Sequence, residues 1–412
     1  MKIIEKSRRS FLKAGLALGA TVTVAPIFNV MSACQSPDEN KEEETVPGEL
    51  PKVYMTRTIT SAGLMAAYNA LGSKVEGKVA VKVSTGEPGG HHFLSPDLIK
   101  DLVQSVRGTI VECNTAYQGR RSSTASHKQA AAEHGFTAIA EVDIMDEEGS
   151  ISLPVSGGQR LTENFVGSHF TNYDSFLVLS HFKGHAMGGF GGALKNISIG
   201  IASVEGKCWI HSGGKSKTST WGGEQTAFLE SMAEASKAVI NSLDGKILFV
   251  NVMNNLSIDC DCDSHPAAPE LDDIGILAST DPVALDKACV DLIYAADAAK
   301  SASLRRRIEQ QRGTVLLTHA ESLGLGNQQY ELVDINSGTA NQEITVDNIR
   351  VIGSAGSITI LNAAGKKAIV SNIQGQNIAN AVLSSDNVTL TIPKGAVVVA
   401  VEGETAVKVI VK

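Results

Sequence analysis

The chain has 412 residues, 43% of them hydrophobic and 19% charged, with a formal net charge of −8 at pH 7. That is ordinary globular composition, with enough chain for two domains or one large and one small. No basic stripe interrupts the acidic balance, so nucleic acid is excluded as a partner, and aromatics at 5% argue against a broad stacking surface for bases or sugars.

The first element is a leader. "KSRRSFLKAG" sets Arg8 and Arg9 before Phe11 and Leu12, and a modest apolar run follows to "MSAC". This is the pattern of a twin-arginine export signal, not of a membrane span. Cys34 follows Ser32 and Ala33, close to a lipoprotein cleavage box, although Met31 stands where Leu is usual. The expectation is cleavage after residues 1–33, lipidation of Cys34 and a firm membrane anchor. The first partners are then the twin-arginine machinery and the membrane, and the location is the periplasm or outer membrane. Residues 35–52, with "SPDENKEEETVPGEL", cannot bury a core and read as an acidic, disordered tether. The twin-arginine route carries folded cargo, which suits a protein loaded with a cofactor before export.

From about residue 53 strands and helices alternate. "KVAVKVST" (78–85) reads as a strand. Residues 95–106 open a helix with Ser95 as N-cap and Pro96 at the first helical position. "TIVECNT" (109–115) is a strand, 122–136 a helix closed by Gly135, and 138–146 and 175–182 are strands. Residues 226–243 form a long amphipathic helix, 246–256 and 274–280 are apolar strands, and Asp281-Pro282 opens a helix to 297. Apolar strands separated by helices predict an α/β domain over 53–340 with a mainly parallel sheet. Ligands in such sheets sit at the carboxyl ends of strands. From about 345 to 412 the texture becomes short β runs broken by Gly, Asn-Ala and Pro-Lys-Gly turns. That predicts a small all-β sandwich, accessory in role, and it resembles the C-terminal sorting or anchoring modules of exported Bacteroidetes proteins.

After Cys34, five cysteines remain, an odd number at scattered spacing, so no disulfide framework is expected. Without a CxxC pair there is no ligand set for a zinc ribbon or a ferredoxin-type cluster.

One loop concentrates chemistry: "SHFKGHAMGGFGGALKNISIG" (180–200). Gly188, Gly189, Gly191 and Gly192 allow backbone amides to approach a bound group closely. Lys195, next to Asn196, could pair with a phosphate or act as a covalent nucleophile. The glycines make a helix across His181 and His185 improbable, which removes those two as a metal pair. A second cluster, "IDCDCDSHP", alternates Asp259, Asp261 and Asp263 with Cys260 and Cys262. If extended, acids and cysteines occupy opposite faces, and thiolate with carboxylate suits a transition metal. A disulfide across Cys-x-Cys would be strained. Tyr117 and Arg120, with Arg121, lie beyond "VECN" and could clamp an anion or serve as acid–base groups, although paired basic residues are more often a solvated face. Cys113 and Asn114 end the same strand. His91 and His92 follow a Gly-Gly turn and read as a substrate loop or as plain surface. His127, His134, Cys289, Met187 and Trp209 read as structural.

"ECNTAYQGRR", "SHFKGHAMGGFGGALKN", "DCDC" and "DIGILASTDPVALDKACVDL" together resemble domain-of-unknown-function family 362, whose members are often called iron–sulfur-centre proteins. Relatives commonly carry a ferredoxin insert after the His-Ser that is here His211-Ser212. This chain has the cysteine-free "GGKSKTSTWGGEQ" instead, so no iron–sulfur cluster is expected. Locally, "HAMGGFGGALK" is similar to a motif of the lactate racemase family. The intervals also match, with Lys195 ten residues beyond His185 and His211 sixteen beyond Lys195. The resemblance implies Lys195 as the attachment point of a nickel-pincer nucleotide, His211 as a nickel ligand and His185 as a catalytic base. A second histidine base and an Arg-Pro loop are missing, since "TAYQGRRSS" and "STGEPGGHHFLSP" stand in their places. Substrate and reaction are therefore not inherited. The expectation is a metal- or cofactor-dependent enzyme acting on a small hydroxylated molecule by hydride transfer or epimerisation. The alternatives are a redox or metal-binding protein using the Asp-Cys cluster, or a non-catalytic surface binding protein.

Overall fold

The computed structural model describes residues 49–335 and, apart from some turn and strand-end positions, residues 350–411. The twin-arginine leader, Cys34 and nearly all of the acidic tether lie outside the described residues. The first segment is β1 (Lys52–Thr56), α1 (Ser61–Ala70), β2 (Val79–Lys82), α2 (Pro96–Ser105), β3 (Thr109–Glu112), α3 (Thr124–Glu133) and β4 (Val142–Ile144). A hairpin of β5 (Ser150–Pro154) and β6 (Glu163–Gly167) precedes the buried strand β7 (Ser175–His181). Then come β8 (Lys183–His185), β9 (Gly189–Gly191), α4 (Ala193–Ser198), α5 (Val204–His211), α6 (Gln225–Ser242) and β10 (Ile247–Met253). The remainder is β11 (Gly275–Ser279), α7 (Pro282–Ala295), α8 (Ala302–Gln310), α9 (Val315–Ser322) and β12 (Glu331–Asp334).

These strands build an eight-stranded sheet in the order β12-β1-β11-β10-β7-β2-β3-β4. Pairing is parallel from β10 through β4, and β11 is antiparallel to both β1 and β10. The mainly parallel α/β expectation is met. β7 and β10 are buried at every position, as strands covered by helices on both faces must be. Phe176, Val178 and Phe249 face one hydrophobic cluster, while Leu177, Leu179 and Val250 face the other.

Local signals act as the sequence implies. Ser95 accepts the amide of Asp97 at the start of α2, and Asp281 accepts those of Val283 and Ala284 at the start of α7. Gly135 closes the α3 turn at φ 88°. The expected strand over 138–146 shortens to β4, because residues 136–138 make a 3-10 turn that buries Phe136. Among the described residues no helix is long and apolar enough to cross a membrane.

The C-terminal strands form two antiparallel sheets. One holds Arg350–Ser354, Ser357–Leu361 and Asn387–Thr391. The other holds Asn377–Val382, Lys367–Asn372, Gly395–Val401 and Val407–Val411. Ile358, Ile360, Val370 and Val399 contribute to their shared core.

Candidate active site

β2, β3, β7 and β10 end at one edge of the sheet, and a cavity of about 350 Å³ opens there. Lys82, Lys183, Lys195, Lys207 and Arg121 line it, against two carboxylates, Glu112 and Asp261. A chain of formal charge −8 thus carries a cationic cavity, and that contrast focuses the field on anions.

The cations are held differently. Lys82, on β2, donates to Val83 O and Asn196 Oδ1, each at 3.0 Å. Burial brings its pKa down to about 8 although Glu112 opposes the shift. Lys183 donates to His181 O at 2.9 Å and to Asp261 Oδ2 at 2.7 Å. Lys207 donates to Ala202 O. Arg121 reaches Glu87 at 3.0 Å and the Tyr117 hydroxyl at 3.0 Å. Lys195 is different: half-buried on the wall, its Nζ has neither a hydrogen bond nor an ion pair. Burial, with Lys183 and Lys82 close by, brings its pKa down to about 7.

Lys195 is aimed by α4, and Asp286 sets α4. Its carboxylate accepts the amides of Ala193 (2.7 Å) and Leu194 (3.0 Å) and the side chain of Asn251 (2.8 Å). Gly192 leaves room for that cap, since a Cβ there would lie 2.3 Å from Asp286 Oδ1. Asn196 spans the strand ends, donating to Ser180 Oγ at 3.0 Å.

The glycine-rich stretch is a β8–β9 hairpin leading into α4, not an open cradle. Gly191 and Gly192 line the cavity, but Gly188 and Gly189 do not. Gly189 sits at φ 81° and packs against Ile308 and Gly313. Gly184 packs against the backbone of Ile258. Most of the close approaches that glycine permits here are to protein, which corrects the expectation of amides wrapped around a ligand.

His185 and His211 have opposite tautomers. His185 Nδ1 accepts the amides of Gly188 (2.8 Å) and Met187 (3.2 Å). The neutral ring therefore carries its proton on Nε2 and acts as a donor. Burial and the charges of Lys195, His211, Lys183 and Arg307 hold its pKa well below the usual range. In this tautomer the ring offers the cavity a proton on Nε2, not the lone pair that the expected base would use. His211, at the end of α5 and stacked on Phe228, donates Nδ1–H to Lys207 O at 2.7 Å. Its Nε2 keeps a lone pair, the arrangement found in metal-ligating histidines. Burial brings its pKa down to about 4.

The Asp-Cys cluster also departs from expectation. Residues 258–263 form a turn, not an extended strand, and Cys260 and Cys262 are joined in a disulfide. Asp261 is committed to His181 Nδ1 (2.8 Å) and Lys183. Asp259 pairs with Arg307 at 3.2 Å and accepts the amide of Ala267. Neither acid is a free metal ligand. The donors that do converge are His185, Cys260 and Cys262, with one atom from each lying within 4.8 Å of the others.

Of the remaining candidates, Tyr117 stands at the mouth, 41% exposed, its hydroxyl on Arg121. Arg120 turns away and pairs with Glu133 on the surface, one contact being 2.8 Å, and it is the neighbouring Arg121 that lines the cavity. Cys113 lies on the cavity wall, but burial pushes its thiol up to about 12. His91 and His92 are not on the wall. His127 bonds Glu112 and His134 bonds Thr85 O, both structural roles. Burial raises the Glu112 pKa, but His127, Arg121 and Lys82 override it and hold the carboxyl below its usual range. Sequence reasoning missed Lys82, Lys183, Lys207 and Glu112. The one visible signal was a lysine inside the apolar run "KVAVKVST".

A family profile described as a domain of unknown function (DUF362) matches residues 79–291, just over half of the chain. The chain belongs to this family. Every cavity residue named above lies within the DUF362 span. A second profile, a domain of unknown function (DUF6383), matches residues 338–411. No curated protein matches the chain. Among solved structures, the lactate racemase apoprotein from Thermoanaerobacterium thermosaccharolyticum is similar over 48% of this chain and 50% of its own, at 14% identity and TM-score 0.32. A protein from Thermotoga maritima is similar over 56% and 57%, at 16% identity and TM-score 0.34. The chain thus spans only about half the length of each.

Proposed function

We propose that this DUF362 protein is an enzyme that binds a small anionic, hydroxylated molecule and moves a proton at its hydroxyl-bearing carbon or oxygen. The observation that carries this reading is Lys195. Alone among the four cavity lysines it has no partner, and its pKa of about 7 leaves much of it as free amine at neutral pH. A free amine on a cationic wall is a competent base. The clamped cations Lys82, Lys183, Lys207 and Arg121 would hold the anion. His185 would donate its Nε2 proton as a hydrogen bond to the substrate oxygen, as a neutral electrophile. Asp286 positions Lys195 through the first turn of α4.

The nickel-pincer nucleotide implied by the sequence resemblance fits this wall in part. His211 Nε2 offers a nickel ligand, Lys195 an unpartnered amine for attachment, and the clamped lysines suit a phosphate. When bound, that group would supply a hydride acceptor. His185, with Nδ1 committed to two amides, does not fit the role of base beside it.

The test is solvent deuterium incorporation into small hydroxy acids, followed by NMR, with Lys195→Arg as the control that keeps charge and removes the base. The reading predicts exchange with the unmodified chain and loss of it in the variant. Exchange undiminished in Lys195→Arg would contradict it. An intact mass showing Lys195 modified would instead assign that amine to cofactor attachment.

A further inference from the structure

We propose that Cys260, Cys262 and His185 form a site for a soft divalent metal ion, open when the Cys260–Cys262 bond is reduced and closed when it is oxidised. This inference does not depend on the anionic-substrate reading.

The loop is built to keep the two sulfurs in place through such a cycle. Every second residue is a clamp. Asp259 is fixed by Arg307, and Asp261 by His181 and Lys183. The backbone is tied as well, with Gly184 N donating to Ser257 O at 2.8 Å and Glu87 N to Asp261 O at 2.7 Å. The amide of Asp263 closes the turn onto Cys260 O at 2.9 Å. None of these bonds involves the disulfide, so reduction frees two thiols without freeing the loop. The alternation of Asp and Cys thus divides the work: the acids hold the backbone and the sulfurs face the cavities.

Reduction by a small-molecule thiol balances as the disulfide plus two thiols giving two cysteine thiols and the small-molecule disulfide. A divalent ion then displaces the two thiol protons. Two sulfurs and an imidazole nitrogen select zinc-like or late transition ions over magnesium or calcium. The two thiolates neutralise the ion, so it adds no net charge beside Lys183 and Lys195. Coordination by the neutral His185 ring costs the two amide bonds to Nδ1, either because Nδ1 itself turns to the metal or because Nε2 binds after its proton passes to Nδ1, so the sulfurs are the primary ligands. Cys260 and Cys262 line both the main cavity and an adjoining pocket with Glu87, Arg120 and Asp263. A metal held there keeps a face open to ligand from either side, as reactive rather than purely structural metal sites do.

The experiment titrates the full chain with cobalt(II), followed by the near-ultraviolet thiolate-to-metal charge-transfer band, before and after reduction with a phosphine. The proposal predicts a band only in the reduced protein, its loss in Cys260→Ser and Cys262→Ser, and affinity lowered roughly tenfold or more in His185→Ala. Cys262 is the less buried of the pair, so Cys262→Ser, checked by circular dichroism, guards against a folding failure at Cys260. Any of three results would overturn it: no band in reduced protein whose thiols react with a disulfide dye, equal binding by the oxidised protein, or unchanged affinity in His185→Ala.

Discussion

Replacing Lys195 with methionine should stabilise the protein at and below neutral pH. The side chain is unbranched and only one heavy atom shorter, so packing changes little, and what is removed is a charge that the cavity resists. The folded pKa is about 7, against the ordinary 10.5 of an unfolded chain. Between those values the unfolded state binds more protons, so stability rises with pH through the window and the full penalty is present below it. At pH 6 the charged amine opposes folding by on the order of 4–5 kcal/mol if fully desolvated, and by roughly 2 kcal/mol once water at its half-buried end is counted. Near the unfolded pKa the penalty falls to about 0.5 kcal/mol or less. Urea unfolding of both proteins at pH 6, 8 and 10 would measure this, read by the fluorescence of Trp209, which packs against the α/β core. A gain that fades as pH rises supports the account. A loss at pH 6, or a gain that does not depend on pH, would refute it.

Other substitutions separate structural from cavity roles. Gly184→Ala should displace the Cys loop, because its Cβ would lie 2.4 Å from Ile258 O. We expect a stability loss of about 1–3 kcal/mol by chemical denaturation, with weakened cobalt binding in the reduced protein. Glu234 accepts the amides of Gln159, Arg160 and Leu161 and pairs with His319. Glu234→Ala should therefore cost about 3 kcal/mol or more, read as a lower urea midpoint. Arg120→Ala should cost less than about 1 kcal/mol. Arg121→Ala leaves Glu87 and Glu112 buried without their partner and should cost about 3–5 kcal/mol in the same assay.

Much of the site's location was legible in the residues. Apolar strands between helices pointed to the strand ends where the cavity opens, and the intervals joining His185, Lys195 and His211 picked three side chains that do share it. Their hydrogen bonding was not legible. Which imidazole donates depends on the hairpin turn that presents the amides of Met187 and Gly188, and no spacing encodes that. Lys82 and Lys183 were missed because attention in the apolar strand 78–85 and in the glycine-rich loop fell on other residues, and only the fold brings these two lysines to one cavity. The choice between Arg120 and Arg121 rests on one turn that sends neighbouring side chains opposite ways. "DCDCD" misled through its alternation, which describes a strand but here folds as a clamped turn. Gly191 and Gly192 do line the cavity while Gly189 packs against Ile308 and Gly313, a distinction that depends on tertiary neighbours alone.

Anion binding in the cationic cavity is tested most directly by calorimetric titration of the full chain with inorganic pyrophosphate. Binding should weaken as salt is raised and weaken further in Lys82→Gln and Lys207→Gln, with folding confirmed by circular dichroism. Absence of binding at low salt, or binding unchanged in both variants, would contradict it.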